Sequence, residues 1–221
     1  MNAKQLETVR ETVIQGRVSE IGRAVQAALD MGLGAEEILQ GALLPAMDEV
    51  GRRFECEQIF VPEMMASAKA MQTSLKVLRP LLLQSGVEPM AKVVLGTVQG
   101  DMHDIGKNLV GLMLEGGGFQ VIDLGTNVDP GRIVQAVQEG AAIVGLSALL
   151  TTTMTSMPAV LRSLEAAGLR EQAKVIVGGA PINQAYADEI GADGYAPDAS
   201  RAVKLARKLL GMSDPTGQAS R

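Results

Sequence analysis

The segment Lys92-Val93-Val94-Leu95-Gly96-Thr97-Val98 decides the fold, because it is a short and almost wholly apolar run rich in β-branched residues. Similar runs follow at 119–124, 141–147 and 174–177, with a weaker one at 193–195. Strands that are apolar along their whole length are typical of a parallel sheet that helices cover on both faces. Helical stretches alternate with these runs, at 104–116, 130–140, 153–168, 181–191 and 198–211. The sequence therefore predicts an α/β fold, a flavodoxin-like (Rossmann-like) domain with a five-stranded parallel sheet.

The part of the chain before this domain has a helical period. Apolar residues recur there at spacings of three and four, as in Leu39, Leu43, Met47, Val50 and Phe54. Four helices are predicted, near 2–15, 18–31, 35–53 and 61–83, and Pro80 should kink or end the last of them. Short connections favour an antiparallel four-helix bundle.

These patterns predict a helical domain over 1–83, a linker over 84–91 and the α/β domain over 92–211, followed by a flexible tail over 212–221.

Composition excludes several classes of protein. A net charge of −5, no basic run and only five aromatic residues (Phe 3, Tyr 2, Trp 0) argue against a nucleic-acid partner. The single cysteine, Cys56, excludes an internal disulfide, and no apolar run approaches the ~20 residues of a membrane helix. The N-terminus has no signal-peptide core, so we expect a cytoplasmic protein without a membrane partner.

Ligands of such a sheet bind on the loops that follow the carboxyl ends of the strands. The eligible loops are 96–108, 147–153 and 178–181. The first does not match a nucleotide-binding P-loop, because five residues separate Gly100 from Gly106 and Asn108 stands where Ser or Thr would hold magnesium. One His and one Cys are too few for an ordinary zinc site, and no Gly-x-Ser-x-Gly segment supports a hydrolase.

His103 is the most informative residue of these loops. A lone histidine is more often structural than functional, but this one lies on the predicted binding edge between Asp101 and Asp104. Asp101 can accept a hydrogen bond from one ring nitrogen and so leave the other free for a metal. Simpler interpretations stay open: either aspartate could only cap the next helix, and Gly178-Gly179 could be only a tight turn.

Three motifs on these loops resemble the cobalamin-binding domain of methionine synthase and related corrinoid proteins. Asp-x-His-x-x-Gly is present at 101–106, Ser-x-Leu at 147–149 and Gly-Gly at 178–179. The segment 54–63 resembles the helical cap that precedes this domain in the family. The resemblance covers nearly the whole chain, up to about residue 211.

The resemblance implies a cobalamin cofactor bound base-off, with His103 as the lower cobalt ligand. It also implies Asp101 as the hydrogen-bond partner of His103 and Thr153 as the hydroxyl member of this relay. Further residues expected to contact the cofactor are, from the sheet edge, Gly100, Met102, Asp104, Ile105, Gly106, Ser147, Leu149, Thr151, Gly178, Gly179 and Ala199, and, from the cap, Gln40, Phe54 and Val61. Where this chain has Gln40, Val61 and Thr153, the family often has Glu, Leu and Ser.

The function implied by the resemblance is that of a methyl carrier. A donor-specific methyltransferase would load the corrinoid, and a second methyltransferase would pass the methyl group to coenzyme M or tetrahydrofolate. A reductive activase would rescue the oxidised cofactor. The chain would thus be the corrinoid component of a multi-protein enzyme. The alternatives are a cobalamin-dependent sensor and the small subunit of a cobalamin mutase; the absence of Trp and of a second His disfavours the sensor.

Overall fold

The computed structural model describes residues 2–87 and 89–212. Contacts within the chain divide it into a helical unit, which covers most of residues 2–89, and an α/β unit, which covers most of residues 90–212. The α/β unit carries a five-stranded parallel sheet with helices, as the sequence predicts. Apart from Met212, the predicted tail lies outside the described residues.

The helical unit is built from α1 (Asn2–Ile14), α2 (Val18–Asp30), α3 (Ala35–Ile38), a π-helical turn (Leu39–Leu43), α4 (Leu44–Glu55) and α5 (Val61–Gln84). Its core contains fully buried side chains from several of these elements, among them Ile21, Ile38, Leu43, Met64, Met71 and Leu78. Within the described ranges, no helix is long and apolar enough to cross a membrane.

One predicted helix is interrupted, and another continues past a proline. The predicted helix over 35–53 is interrupted by the π turn, which adds a residue to one turn and so changes the face that the following residues present. Helix α5 ends at Gln84, one residue beyond the predicted 61–83, so Pro80 does not end it and the alternative of a kink stays a prediction. Leu78 and Leu82, on either side of Pro80, are buried, so packing of the apolar face holds the last turn despite the missing amide hydrogen of proline.

The sheet has the order β2-β1-β3-β4-β5, and all of its strands run parallel. The strands are β1 (Lys92–Thr97), β2 (Gln120–Asp123), β3 (Ala141–Ser147), β4 (Lys174–Gly178) and β5 (Gly194–Tyr195). After β2 the chain returns past β1 to form β3, so the direction of winding reverses between β1 and β3. Ligands of doubly wound sheets bind at this switch point, beyond the carboxyl ends of the strands.

The helices of the α/β unit are α6 (Ile105–Gly116), α7 (Pro130–Gln138), α8 (Thr151–Met154), α9 (Met157–Ala166), α10 (Gln184–Glu189) and α11 (Ala199–Leu209). The predicted helix over 153–168 is therefore two helices. The predicted helix over 181–191 is shorter, because the Asn183 side chain accepts a hydrogen bond from the Tyr186 amide and fixes its start. One face of the sheet and its helices bury a common apolar core, including Val94, Val144, Met157 and Leu164.

Candidate functional site

The loops after β1 and β3 meet at the switch point of the sheet. The amide of Val98, just beyond β1, donates to the carbonyl of Ser147 at the end of β3 over 3.0 Å. The chain then turns back on itself, with the Asp101 amide donating to the Val98 carbonyl. These main-chain bonds place the 99–104 segment directly beside the segment that leads into α8.

Asp101 is the centre of this arrangement, and its side chain is fully buried. Its Oδ1 accepts the His103 amide over 3.0 Å and lies 2.8 Å from His103 Nδ1. Its Oδ2 accepts the Thr153 hydroxyl over 2.6 Å and the Leu149 amide over 2.8 Å. Burial by itself raises the pKa of this carboxyl, but the hydrogen bonds from Thr153 and from the amides of His103 and Leu149 outweigh it and hold the pKa well below the usual range. Asp101 is therefore an ionised, buried acceptor.

His103 is oriented by that carboxylate. An ionised Asp101 can only accept, so His103 Nδ1 carries the ring proton and Nε2 keeps its lone pair. The His103 side chain is 51% exposed, and Nε2 makes no hydrogen bond to any residue that the structure describes. The Thr97 hydroxyl donates to the His103 carbonyl over 2.8 Å and fixes the main chain as well. A ring held in this way presents one free nitrogen to a metal.

Several large apolar side chains are exposed on the His103 loop and on the neighbouring loop. Met102 is 69% exposed and Ile105 83%, and on the neighbouring loop Leu149 and Leu150 are 43% and 44% exposed. Because exposed apolar surface costs free energy, a concentration of it on adjacent loops marks a binding surface. A metal complex with a broad apolar face matches both the free nitrogen and this surface.

The comparisons with known proteins agree with that chemistry. A family model described as a B12 binding domain matches residues 91–204, and a second model with the same description matches residues 5–79. The chain belongs to the B12-binding family. Its cofactor is accordingly a cobalamin, and the resemblance found in the sequence is confirmed.

Several B12-binding relatives match over most of their length. A corrinoid protein of Desulfitobacterium hafniense strain Y51 is 41% identical over 93% of this chain and 97% of its own. Dimethylamine corrinoid protein 1 of Methanosarcina acetivorans is 44% identical, over 85% of this chain and 90% of its own.

Solved structures match the B12-binding fold as well. A cobalamin-binding protein from Desulfitobacterium hafniense DCB-2 superimposes with a TM-score of 0.77 at 33% identity, covering 92% of this chain and 97% of that one. The methanol:cobalamin methyltransferase complex of Methanosarcina barkeri gives 0.84 at 29% identity, covering 96% of this chain and 82% of that one.

The structure brings the residues of the relay together, since Thr153, Asp101 and His103 form one continuous chain of hydrogen bonds. Ser147 is half-buried at the end of β3, and Thr151 is exposed at the start of α8. Neither hydroxyl bonds to another described residue, so both are available to a ligand. Gly100, Asp104 and Gly106 are exposed on the His103 loop and the start of α6.

The two glycines at the end of β4, Gly178 and Gly179, have a structural role of their own. A Cβ on Gly179 would lie 1.9 Å from the carbonyl oxygen of Ala148, and the φ of Gly179 is +123°. A Cβ on Gly178 would lie 3.0 Å from the carbonyl oxygen of Ala196. The close contact that excludes a side chain is thus made with the protein's own backbone, and contact with a cofactor stays a prediction.

The remaining predicted site residues belong to α11 and to the helical unit. Ala199 is buried at the start of α11. In the helical unit, Gln40 is exposed within the π turn, Phe54 is half-buried near the end of α4, and Val61 is exposed at the start of α5. Their predicted contacts with the cofactor stay predictions.

Sequence reasoning did not identify Asn127, which lies between β2 and α7. Its side-chain Oδ1 accepts the Gly100 amide over 2.8 Å, and its main-chain amide donates to the Asp101 carbonyl over 2.9 Å. The available signal was the position of Asn127 in the polar segment 125–129, after a strand that neighbours β1.

Proposed function

We propose that this protein is the corrinoid methyl carrier of a methyltransferase system, with His103 as the lower ligand of its cobalt. The observation that carries the proposal is the free Nε2 of His103, on a ring whose other nitrogen is held 2.8 Å from a buried carboxylate. The corrinoid proteins of amine systems among its relatives, and its likeness to the methanol:cobalamin methyltransferase complex, support the methyl-carrier role.

When bound, cobalamin supplies a cobalt that in its reduced form is nucleophilic enough to accept a methyl group and to release it again. The protein supplies the ligand and controls its basicity. Asp101 makes His103 Nε2 a stronger donor, because the carboxylate stabilises positive charge on the ring. Thr153 in turn stabilises the ionised Asp101.

The same residues can hold a proton whenever His103 has no metal on Nε2. A proton taken up at Nε2 produces an imidazolium, and Asp101 lies 2.8 Å from Nδ1 to stabilise it. The relay thus offers His103 two stable forms, a neutral ligand and a protonated free ring. Ser147 and Thr151, with free hydroxyls at the same edge, would bind the cofactor's nucleotide tail.

We further propose that the protein works with separate proteins: a donor-specific methyltransferase, a methyltransferase for the acceptor, and an activase that reduces the cofactor. The chain would then be one component of the enzyme and not active alone.

The ligand can be tested with unusual clarity, because His103 is the only histidine in the chain. The test compares two samples of tag-free protein in the Co(II) state by electron paramagnetic resonance, one of them made with ¹⁵N-histidine. Ligation by His103 predicts that the nitrogen splitting changes from a triplet to a doublet on labelling. A splitting that does not respond to the label would assign the lower ligand to the cofactor's own base.

The methyl-carrier role requires a second measurement. Chemically reduced holoprotein is mixed with candidate methyltransferases and their donors, and methylation of the corrinoid is followed by its visible spectrum. No methylation with any methylamine, methanol, betaine or aryl-ether system, together with a light-dependent change of oligomeric state, would support a sensor instead.

A further inference from the structure

Asn127 holds the main chain of the His103 loop from the neighbouring loop. Its side-chain Oδ1 accepts the Gly100 amide over 2.8 Å, and its main-chain amide donates to the Asp101 carbonyl over 2.9 Å. One residue therefore binds on both sides of the 100–101 segment. The φ of Asn127 is +51°, a left-handed conformation that asparagine adopts more readily than most side chains.

The position of that segment matters because the Asp101 carboxylate has little tolerance for movement. Its two oxygens accept four hydrogen bonds from three residues, at distances between 2.6 and 3.0 Å. Two of the donors lie beyond β3, Leu149 in the loop and Thr153 in α8. A shift of the Asp101 backbone would therefore lengthen the bonds to these two residues or to His103. The ring of His103 is aligned only while all of these contacts persist.

Other contacts of the loop act at its two ends. Thr97 binds the His103 carbonyl, and the Ser156 hydroxyl donates to the Gln99 carbonyl over 3.1 Å. Asn127 acts between them, at the residue that bears the carboxylate. Its amide oxygen also satisfies the Gly100 N–H in a place where Gly100 itself has a φ of +87°.

We propose that Asn127 is a positioning residue for the cobalt ligand and acts through Gly100 and Asp101. The inference rests on the proposed role of His103. It assigns to the segment between β2 and α7 a share in fixing the axial ligand, although the hydrogen bonds of Asn127 go to Gly100 and Asp101 and not to His103 itself.

The experiment is a double-mutant cycle on the affinity of the full-length protein for cobalamin, with Asn127→Gly and His103→Ala. Glycine keeps the left-handed backbone and the main-chain bond to Asp101, and it removes only the side-chain amide that accepts from Gly100. Loss of one hydrogen bond predicts a dissociation constant that is roughly three- to tenfold higher in the otherwise unchanged protein. In the His103→Ala background the same substitution should have almost no effect, because the ring that it positions is absent.

Two further variants separate positioning from general stability. Asn127→Asp keeps the oxygen acceptor and should restore most of the affinity. Asp129→Ala is the matched control, because Asp129 lies in the same loop but caps α7, accepting the Gly131 amide over 2.8 Å. It should lower the melting temperature without raising the dissociation constant.

An equal loss of affinity on Asn127→Gly in both backgrounds would overturn the proposal, and so would an Asn127→Gly variant with unchanged affinity. Failure of the underlying function gives a different result: unmodified protein whose cobalt signal ignores ¹⁵N-histidine, and whose affinity does not change on His103→Ala.

Discussion

Replacing Thr153 by valine removes one donor from the buried Asp101 while almost preserving the shape of the side chain. Thr153 is buried, and its hydroxyl lies 2.6 Å from Asp101 Oδ2. A hydrogen bond to an ionised group contributes about 1.5–3 kcal/mol. Because the Leu149 amide still donates to the same oxygen, we expect the lower part of this range, a loss of about 1.5–2 kcal/mol at pH 7.

The loss should depend on pH in a defined direction. The pKa of Asp101 is lowered in the folded protein, so its contribution to stability is complete above the unfolded value of about 3.9. That contribution disappears as the pH falls through the lower folded value. The difference in unfolding free energy between the unmodified protein and Thr153→Val should therefore be the same at pH 7 and pH 5. It should shrink only where the pH falls well below about 3.9 and Asp101 takes up a proton in the folded variant.

Thermal unfolding of the cofactor-free chain, followed by circular dichroism, measures the effect. For a protein of this size the predicted loss lowers the melting temperature by about 3–8 °C. Thr153→Ser keeps the hydroxyl and serves as the control, with a smaller loss expected from its missing methyl group. A Thr153→Val protein that melts with the unmodified one, or a serine variant that is equally destabilised, would refute the hydrogen-bond argument.

The strands of the α/β unit could be predicted from the sequence because each is a short apolar run with a clear end. The predicted strand over 141–147 coincides with β3, and that over 92–98 differs from β1 by one residue. The π turn at Leu39–Leu43 could not be predicted, because the apolar spacing of three and four fits an α-helix equally well. The division between α8 and α9 was missed for a similar reason, since Thr155 and Ser156 leave the helical pattern on either side intact.

In the candidate site, the contact between neighbouring residues could be predicted from the sequence, and the contacts between loops could not. The pairing of Asp101 with His103 could be expected, because two residues close in sequence on one loop have little freedom to lie apart. The amide of Leu149 and the main-chain amide of Asn127 both donate to Asp101, and because every residue except proline has such an amide these two contacts leave no mark in the sequence. They become visible only when the strand order places the loops after β2 and β3 on either side of the loop after β1.

The remaining predictions concern a partly buried carboxylate, Glu49, and a glycine at the close approach of two loops, Gly179. The hydrogen bond with Arg52 lowers the pKa of Glu49 to about 2 against the opposing effect of burial, so Glu49 should stabilise the protein fully above its unfolded pKa of about 4.3 and lose this effect as the pH approaches 2. Melting temperatures of Glu49→Gln and unmodified protein should accordingly differ at pH 6 and converge near pH 2, and a constant difference would contradict the assignment. Gly179→Ala should destabilise the protein by about 3 kcal/mol or more, because its Cβ would overlap the Ala148 carbonyl oxygen at a φ of +123° and the backbone must move. Gly168→Ala is the matched control, since Gly168 also has a positive φ of +70° but no atom within 4 Å of the added methyl, and it should cost only about 1–2 kcal/mol. Chemical denaturation measures both, and equal losses would show that backbone conformation alone, without the close approach of the two loops, requires glycine at position 179.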